Sequence, residues 1–391
     1  MNSRYLSPEQ VQQLVQLRRE LHTHPELSDY EERTAETILR FCRAEAPHAQ
    51  IFENIGGYGV VVRFEEEKEG VDVLLRCELD ALPITETTNL SYTSQNNHVA
   101  HSCGHDGHIA MLCGVALYLA AHPLQKGSVT LLFQPAEEMG AGARRMASAL
   151  GALGISFDYA FALHNLPGAP LGEVIWYPET YAAASHGLEV EFMGKTAHAS
   201  EPHNAITPTF AVIETIQVWM ELIQNKTLFN DFVLITIINV EVGEEAYGTT
   251  PGHGFLRATF RGYRQDDLDK LHQMAVAQME GIAAAHGLQT KCRLLDTFPA
   301  TVNHPQANGI VCAAAQELHL SIRQAATPLA GSDDFAYFTS NTVASFFDLG
   351  AGVQQPPLHD SNYDFPDTLI PIGADLWITL TNNLSKQWFD I

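Results

Sequence analysis

Between residues 58 and 163 the chain alternates short, strongly apolar runs with helical patterns, and the runs stop beside residues able to do chemistry. Residues 58–64, 71–78, 128–133 and 158–163 have the length and the Val, Leu and Phe content of buried strands. Helical spacing of apolar residues fills 109–122 and 142–150 between them. Strands separated by helices predict an α/β fold with a mostly parallel sheet. In such sheets the ligand crevice lies beyond the carboxyl ends of the strands. Asp80, Glu137, Glu138 and His164 each fall at such an end, so topology alone predicts that they meet.

One loop adds metal-ligand chemistry to that crevice. His101-Ser102-Cys103-Gly104-His105-Asp106-Gly107-His108 stands directly ahead of an apolar helical run. Cys103 and His105, two apart, would point to opposite sides of a helix but can converge on one ion from an irregular turn. The stretch reads as a metal-binding loop that opens a helix; a solvated histidine-rich turn is the plainer alternative. A second alternative makes Cys103 a nucleophile beside His105, but that leaves Glu137-Glu138 without a role. Adjacent carboxylates on an extended chain face different ways, so one can bind a metal while the other faces water. A dication that acidifies water, with a free carboxylate to carry its proton to a leaving nitrogen, is the chemistry of amide hydrolysis.

From about residue 178 the pattern changes. Residues 188–192 alternate strictly, 232–242 and 255–260 read as strands, and 207–222 and 265–286 as helices. This predicts a sheet with one open face, backed by two helices. The expected organisation is a discontinuous domain, residues 1–178 plus 296–391, carrying an inserted α+β domain, residues 179–295. A length of 391 residues favours two cores over one. With 46 acidic against 22 basic residues the formal charge is −24, which repels phosphate, so neither nucleic acid nor a membrane is expected as a partner. Six cysteines without Cys-x-x-Cys spacing suggest reduced thiols in the cytoplasm, and no leader or bilayer-length apolar stretch is recognisable.

The motifs, taken in order, resemble a known family. They are Arg18-Arg19-Glu20-Leu21-His22-x-His24-Pro25-Glu26-Leu27, Asp80-Ala81-Leu82-Pro83-Ile84, the loop from His101 to His108, Phe133-Gln134-Pro135-Ala136-Glu137-Glu138, Gly194-Lys195-x-Ala197-His198-Ala199, and Leu358-His359. Their order and spacing are similar to those of the co-catalytic metal amidohydrolases, in the branch of hippurate hydrolase, N-acyl-amino-acid amidohydrolases and plant indole-acetyl-amino-acid hydrolases. The resemblance spans nearly the whole chain and implies a zinc-exopeptidase type of catalytic domain with an inserted lid and dimerisation domain. It implies two divalent ions per chain (zinc, manganese, cobalt or nickel) bridged by Cys103, with His105 and His164 completing one and Glu138 and His359 the other. It further implies Glu137 as general base, Asp80 and Asp106 as carboxylates behind the ligands, and His198 as the group that polarises the scissile carbonyl, often from the partner of a homodimer. The substrate class implied is an N-acyl amino acid.

Three segments depart from the family pattern. Glu78 stands where an aspartate is usual, and Asp333 where a glutamate is usual, both keeping the charge. The lid segment that typically carries His-Asn reads Tyr247-Gly248-Thr249-Thr250-Pro251. Arg257 and Arg261, four apart on one strand, share a face, and Arg261 is the candidate clamp for a substrate carboxylate, Arg257 being expected in a surface ion pair. A dipeptidase or aminopeptidase of the same superfamily is the alternative enzyme; a catalytically silent metal-binding dimer is the alternative outside catalysis, which an unliganded Glu137 argues against.

Overall fold

The computed structural model describes residues 3–66, 69–340 and 342–386. It divides into two compact units, one formed by the chain up to Tyr181 with Thr301–Thr327 and the segment from Asp333 onward, the other by Ala182–Ala300 with Pro328–Ser332.

The first unit is built on an eight-stranded sheet in the order Gln50–Ile55, Gly59–Glu65, Ser128–Gln134, Asp72–Glu78, Tyr159–Pro167, Val343–Gly352, Val174–Trp176, Ile322–Gln324. The central run from Ser128–Gln134 to Val343–Gly352 is parallel throughout, with antiparallel strands joined to its flanks. The mostly parallel α/β sheet predicted from the strand–helix alternation is therefore present. The strand Gln50–Ile55 escaped periodicity because its edge position leaves it half wet, so its sequence, QIFENI, is largely polar.

Local signals explain the helices. Pro8–Thr23 opens with a capping box in which Ser7 Oγ accepts the Gln10 N–H and Gln10 Oε1 accepts the Ser7 N–H at 2.8 Å, with Pro8 in the first turn. Its Leu14, Leu17 and Leu21 are buried, and it packs on the helix His105–Ala121. That second helix is apolar nearly all round because the helix Leu369–Lys386 also packs on it.

The second unit is a four-stranded antiparallel sheet in the order Val233–Val242, His253–Gly262, Ala184–Met193, Gln289–Phe298. Helices Thr209–Gln224 and Gln265–Ala285 supply its core with Trp219, Leu271 and Met279 against Phe192 and Phe260. The chain passes between units at Tyr181–Ala182 and Ala300–Thr301, later than the 178/179 and 295/296 divisions expected, with a further excursion at Pro328–Ser332. The shift at the return has a plain cause: Gln289–Phe298 is a strand zipped along Ala184–Met193 from Gln289↔Met193 to Phe298↔Ser185, and its exposed, charged sequence hid it. Among the described residues no helix is long and apolar enough to cross a membrane.

Candidate metal centre

Turns after the strands Asp72–Glu78 and Ser128–Gln134, the strand Tyr159–Pro167 and the loop ahead of the helix His105–Ala121 bring the chemistry together. Gly104 adopts φ +91°, and a Cβ there would stand 2.6 Å from Asn165 Oδ1, so only glycine lets this loop lie against Asn165. The result is Cys103 Sγ at 3.4 Å from His164 Nε2. His164 lies inside its strand rather than past its end, because pairing with Val343–Gly352 continues to Pro167. Donor atoms of Cys103, His105 and His164 lie within 4.8 Å of one another, and so do those of Cys103, Glu138 and His359. The two groups share the thiol. Glu137 forms a third such group with His105 and Glu138.

The donors are oriented for metal binding. His105 Nδ1 lies 2.7 Å from the Asp80 carbonyl and His164 Nδ1 3.0 Å from the Asn165 carbonyl, which makes each Nδ1 a donor and leaves Nε2 as the nitrogen that can ligate, that of His164 facing the thiol. His105 Nε2 and Glu138 Oε1 are buried, 3.9 Å apart, and carry no hydrogen bond among the described residues. His359 Nε2 is 3.8 Å from the same Glu138 oxygen, and the His359 backbone N–H donates to the Ser102 carbonyl at 2.8 Å. Asp80 Oδ2 accepts from Ser28 Oγ at 2.7 Å and from the Glu138 N–H at 3.0 Å, so Asp80 braces one ligand through its side chain and another through its carbonyl.

The electrostatics are those of a pocket short of positive charge. Burial pushes Glu138 up to about 7 and the Cys103 thiol well up, with the Glu138 and Glu137 carboxylates adding to the thiol's rise. Burial also raises Glu137, aided by Asp333 and Glu138. Burial opposes charge on His105, but the Asp80 hydrogen bond and the charges of Glu78 and Asp80 push it to about 10. A divalent cation reverses this balance, and a thiolate, imidazoles and carboxylates form a donor set suited to zinc and also open to manganese, cobalt or nickel. The residues fit such an ion pair.

Behind Glu137 lies a charge network that the motifs did not reveal. The fully buried Arg76 guanidinium bonds Glu78, Gln134 at 2.9 Å, Asp333 at 3.1 Å and Asp334 at 2.9 Å. Glu78 continues to His108 Nδ1 at 2.7 Å, whose Nε2 accepts the Asn165 N–H at 3.2 Å. Asp334 accepts from Gln134 Nε2 at 2.7 Å and from the Ala143 N–H at 2.9 Å. A signal was available: an arginine and a glutamate inside an interior strand, Leu74-Leu75-Arg76-Cys77-Glu78, must find partners. Asp106, expected behind the ligands, bonds Arg18 Nε and His22 Nδ1, each at 2.8 Å, and its own Gly107 N–H.

The remaining candidates lie on the second unit. His198 is exposed, its Nδ1 2.7 Å from Ser200 Oγ, on a two-residue strand paired with Thr249–Thr250. Tyr247 is 96% exposed beside that pair. Arg261 donates to the Ala330 carbonyl and Ser332 Oγ, both at 3.0 Å, so it anchors the Pro328–Ser332 excursion. Arg257 is held by Glu189, Asn239 and Glu241 at 2.6–3.0 Å, as an outward ion-pair cluster.

A mostly parallel α/β unit with this donor set and an inserted antiparallel unit are features of the amidohydrolase and peptidase class of hydrolases. The chain belongs to peptidase family M20/M25/M40, whose model matches residues 74–383. Among curated relatives, an N-acetyl-L-cysteine deacetylase of Bacillus subtilis is 32% identical over 339 residues, covering 86% of this chain and 80% of its own. The hippurate hydrolase of Campylobacter jejuni is 27% identical, covering 93% and 94%. Among solved structures, a dinuclear-metal-binding M20 peptidase of Bacillus subtilis superposes with a TM-score of 0.82 at 26% identity, covering 96% of this chain and 98% of that one.

Proposed function

We propose that this hydrolase cleaves the amide bond of N-acyl amino acids, releasing a carboxylic acid and a free amino acid, with two divalent ions held by Cys103, His105 and His164 on one side and by Cys103, Glu138 and His359 on the other. The observation that carries the reading is the pair of donor groups sharing one thiol, with Glu137 beside them. Bound there, the ions would supply Lewis-acid activation of water and of the scissile carbonyl. Glu137, in a pocket that raises its proton affinity, takes the proton of the attacking water and delivers it to the departing nitrogen. Asp80 keeps His105 and the Glu138 backbone in place while this happens. The Ala182–Ala300 unit is read as a lid and dimerisation domain, with His198 polarising the carbonyl and Arg261 nearest in chemistry to a carboxylate clamp. The named activities of the deacetylase and the hippurate hydrolase support an acylated amino acid as the substrate.

The test is the chelator-stripped protein restored with zinc, manganese, cobalt or nickel, assayed on N-acetyl, N-benzoyl and indole-acetyl amino acids beside free dipeptides. Metal-dependent release from an acylated substrate is expected, and activity confined to dipeptides overturns the substrate class. Glu137→Gln should keep metal content while kcat falls roughly 100- to 10,000-fold; undiminished turnover removes Glu137 from the base role.

A further inference from the structure

The turn that presents Glu137 is strained at the residue before it. Ala136 is fully buried and adopts φ +50°, a left-handed conformation that a side chain disfavours and that persists only where its surroundings impose it. Several contacts hold the segment: the Ala136 carbonyl accepts the Ala141 and Gly142 N–H groups at 3.2 and 3.1 Å, the Gly140 N–H reaches the Glu137 carbonyl at 2.7 Å, and Asp80 takes the Glu138 N–H. Gly142 is required by this geometry, since a Cβ there would lie 1.6 Å from the Pro135 carbonyl oxygen. The amide of the strained residue itself goes to Glu31, whose Oε1 accepts the Ala136 N–H at 2.8 Å across 105 residues of sequence.

Glu31 is unusual in its own setting. It occupies the position that caps the helix Glu32–Glu45, but its side chain makes no capping bond. Glu26 caps instead, accepting the Arg33 and Thr34 N–H groups at 3.2 and 2.8 Å. Relieved of capping, the Glu31 carboxylate is buried, and its Oε2 accepts nothing among the described residues. Burying an acid is unfavourable unless the hydrogen bonds it accepts secure something else.

We propose that Glu31 is a positioning residue that locks Ala136 in its left-handed conformation and so aims the Glu137 carboxylate at the metal centre. The proposal rests on Glu137 acting as the base. It accounts for the segment from His24 to Glu31 as a brace across two strand-end turns, since the Glu26 carbonyl accepts the Ala81 N–H at 2.7 Å and Ser28 holds Asp80.

The experiment compares Glu31→Ala, Glu31→Gln, Ala136→Gly, the double variant Glu31→Ala/Ala136→Gly and Glu137→Gln. Steady-state kinetics on an N-acetyl amino acid, metal content, and amide hydrogen exchange of peptides covering 135–142 are read for each. Glu31→Ala should lower kcat roughly 10- to 100-fold through misplacement of the base, with unchanged KM and metal content and faster exchange in 135–142. Glu31→Gln keeps an acceptor and should recover most of the rate. Adding Ala136→Gly to Glu31→Ala should also recover rate, because glycine adopts the left-handed turn without help. Wild-type kcat and exchange in Glu31→Ala overturn the proposal, as does a loss that neither the glutamine nor the glycine repairs. If Glu137→Gln turns over normally while exchange in 135–142 still depends on Glu31, the base assignment fails and the turn-locking role survives.

Discussion

Replacing Arg76 by methionine removes the guanidinium that pairs with three buried carboxylates, Glu78, Asp333 and Asp334. The apolar isostere fills similar volume, so what is lost is charge and hydrogen bonding. Removing one partner of a buried ion pair costs about 3–5 kcal/mol because the other is left uncompensated, a large part of the roughly 5–15 kcal/mol that stabilises a typical domain. The orphaned acids have one escape, which is to take up protons. Burial already holds Asp334 up at about 7 and Asp333 above its ordinary value even with Arg76 present. Without Arg76 both rise further, and a carboxyl whose folded pKa exceeds its unfolded one contributes stability that is present at low pH and lost as pH rises through the folded value. Urea unfolding of the metal-free wild type and variant should therefore give a penalty near the full 3–5 kcal/mol range, as an order of magnitude, at pH 8 and a clearly smaller one at pH 5. Arg76→Lys, keeping a charge but not the forked donor, should fall between. A loss below about 1 kcal/mol at pH 8, or one equal at both pH values, refutes the view that charge compensation is what Arg76 provides.

Cys103→Ala should bind at least one ion fewer per chain than the wild type by elemental analysis, since both donor groups include its sulfur; unchanged stoichiometry rules out a shared thiol. Asp348 is buried, accepts the Tyr177 and Tyr181 hydroxyls at 2.6 and 2.7 Å, and is pushed by burial to about 6. That lies above its unfolded value, so its stabilising contribution is complete in acid and lost as pH rises through about 6, whereas asparagine cannot titrate. The stability of Asp348→Asn relative to wild type should then improve between pH 4 and pH 8 by up to about 3 kcal/mol in urea titrations of metal-free protein, and a flat difference contradicts the assignment.

What could be read in the sequence was local. Strand–helix alternation, the Ser7-Pro8 helix start and the glycine ahead of His105 express themselves over a few residues, because side-chain period, capping and backbone sterics act at that range. The rule that ligands gather at strand ends pointed to Asp80, Glu137, Glu138 and His164, and the loop motif added Cys103 and His105; donor atoms of Cys103, His105 and His164 lie within 4.8 Å of one another, as do those of His105, Glu137 and Glu138, although His164 sits inside its strand. The strands Gln50–Ile55 and Gln289–Phe298 were invisible because edge and exposed strands need no apolar face. Tertiary structure alone decided where buried charge is neutralised. Arg76 meets Asp333 across 257 residues, Arg18 takes Asp106 across 88, and Glu31 reaches Ala136 across 105. Such pairings carry no periodicity, since a buried ion requires only a partner nearby in space, and which partner is near depends on how the whole sheet and its helices pack.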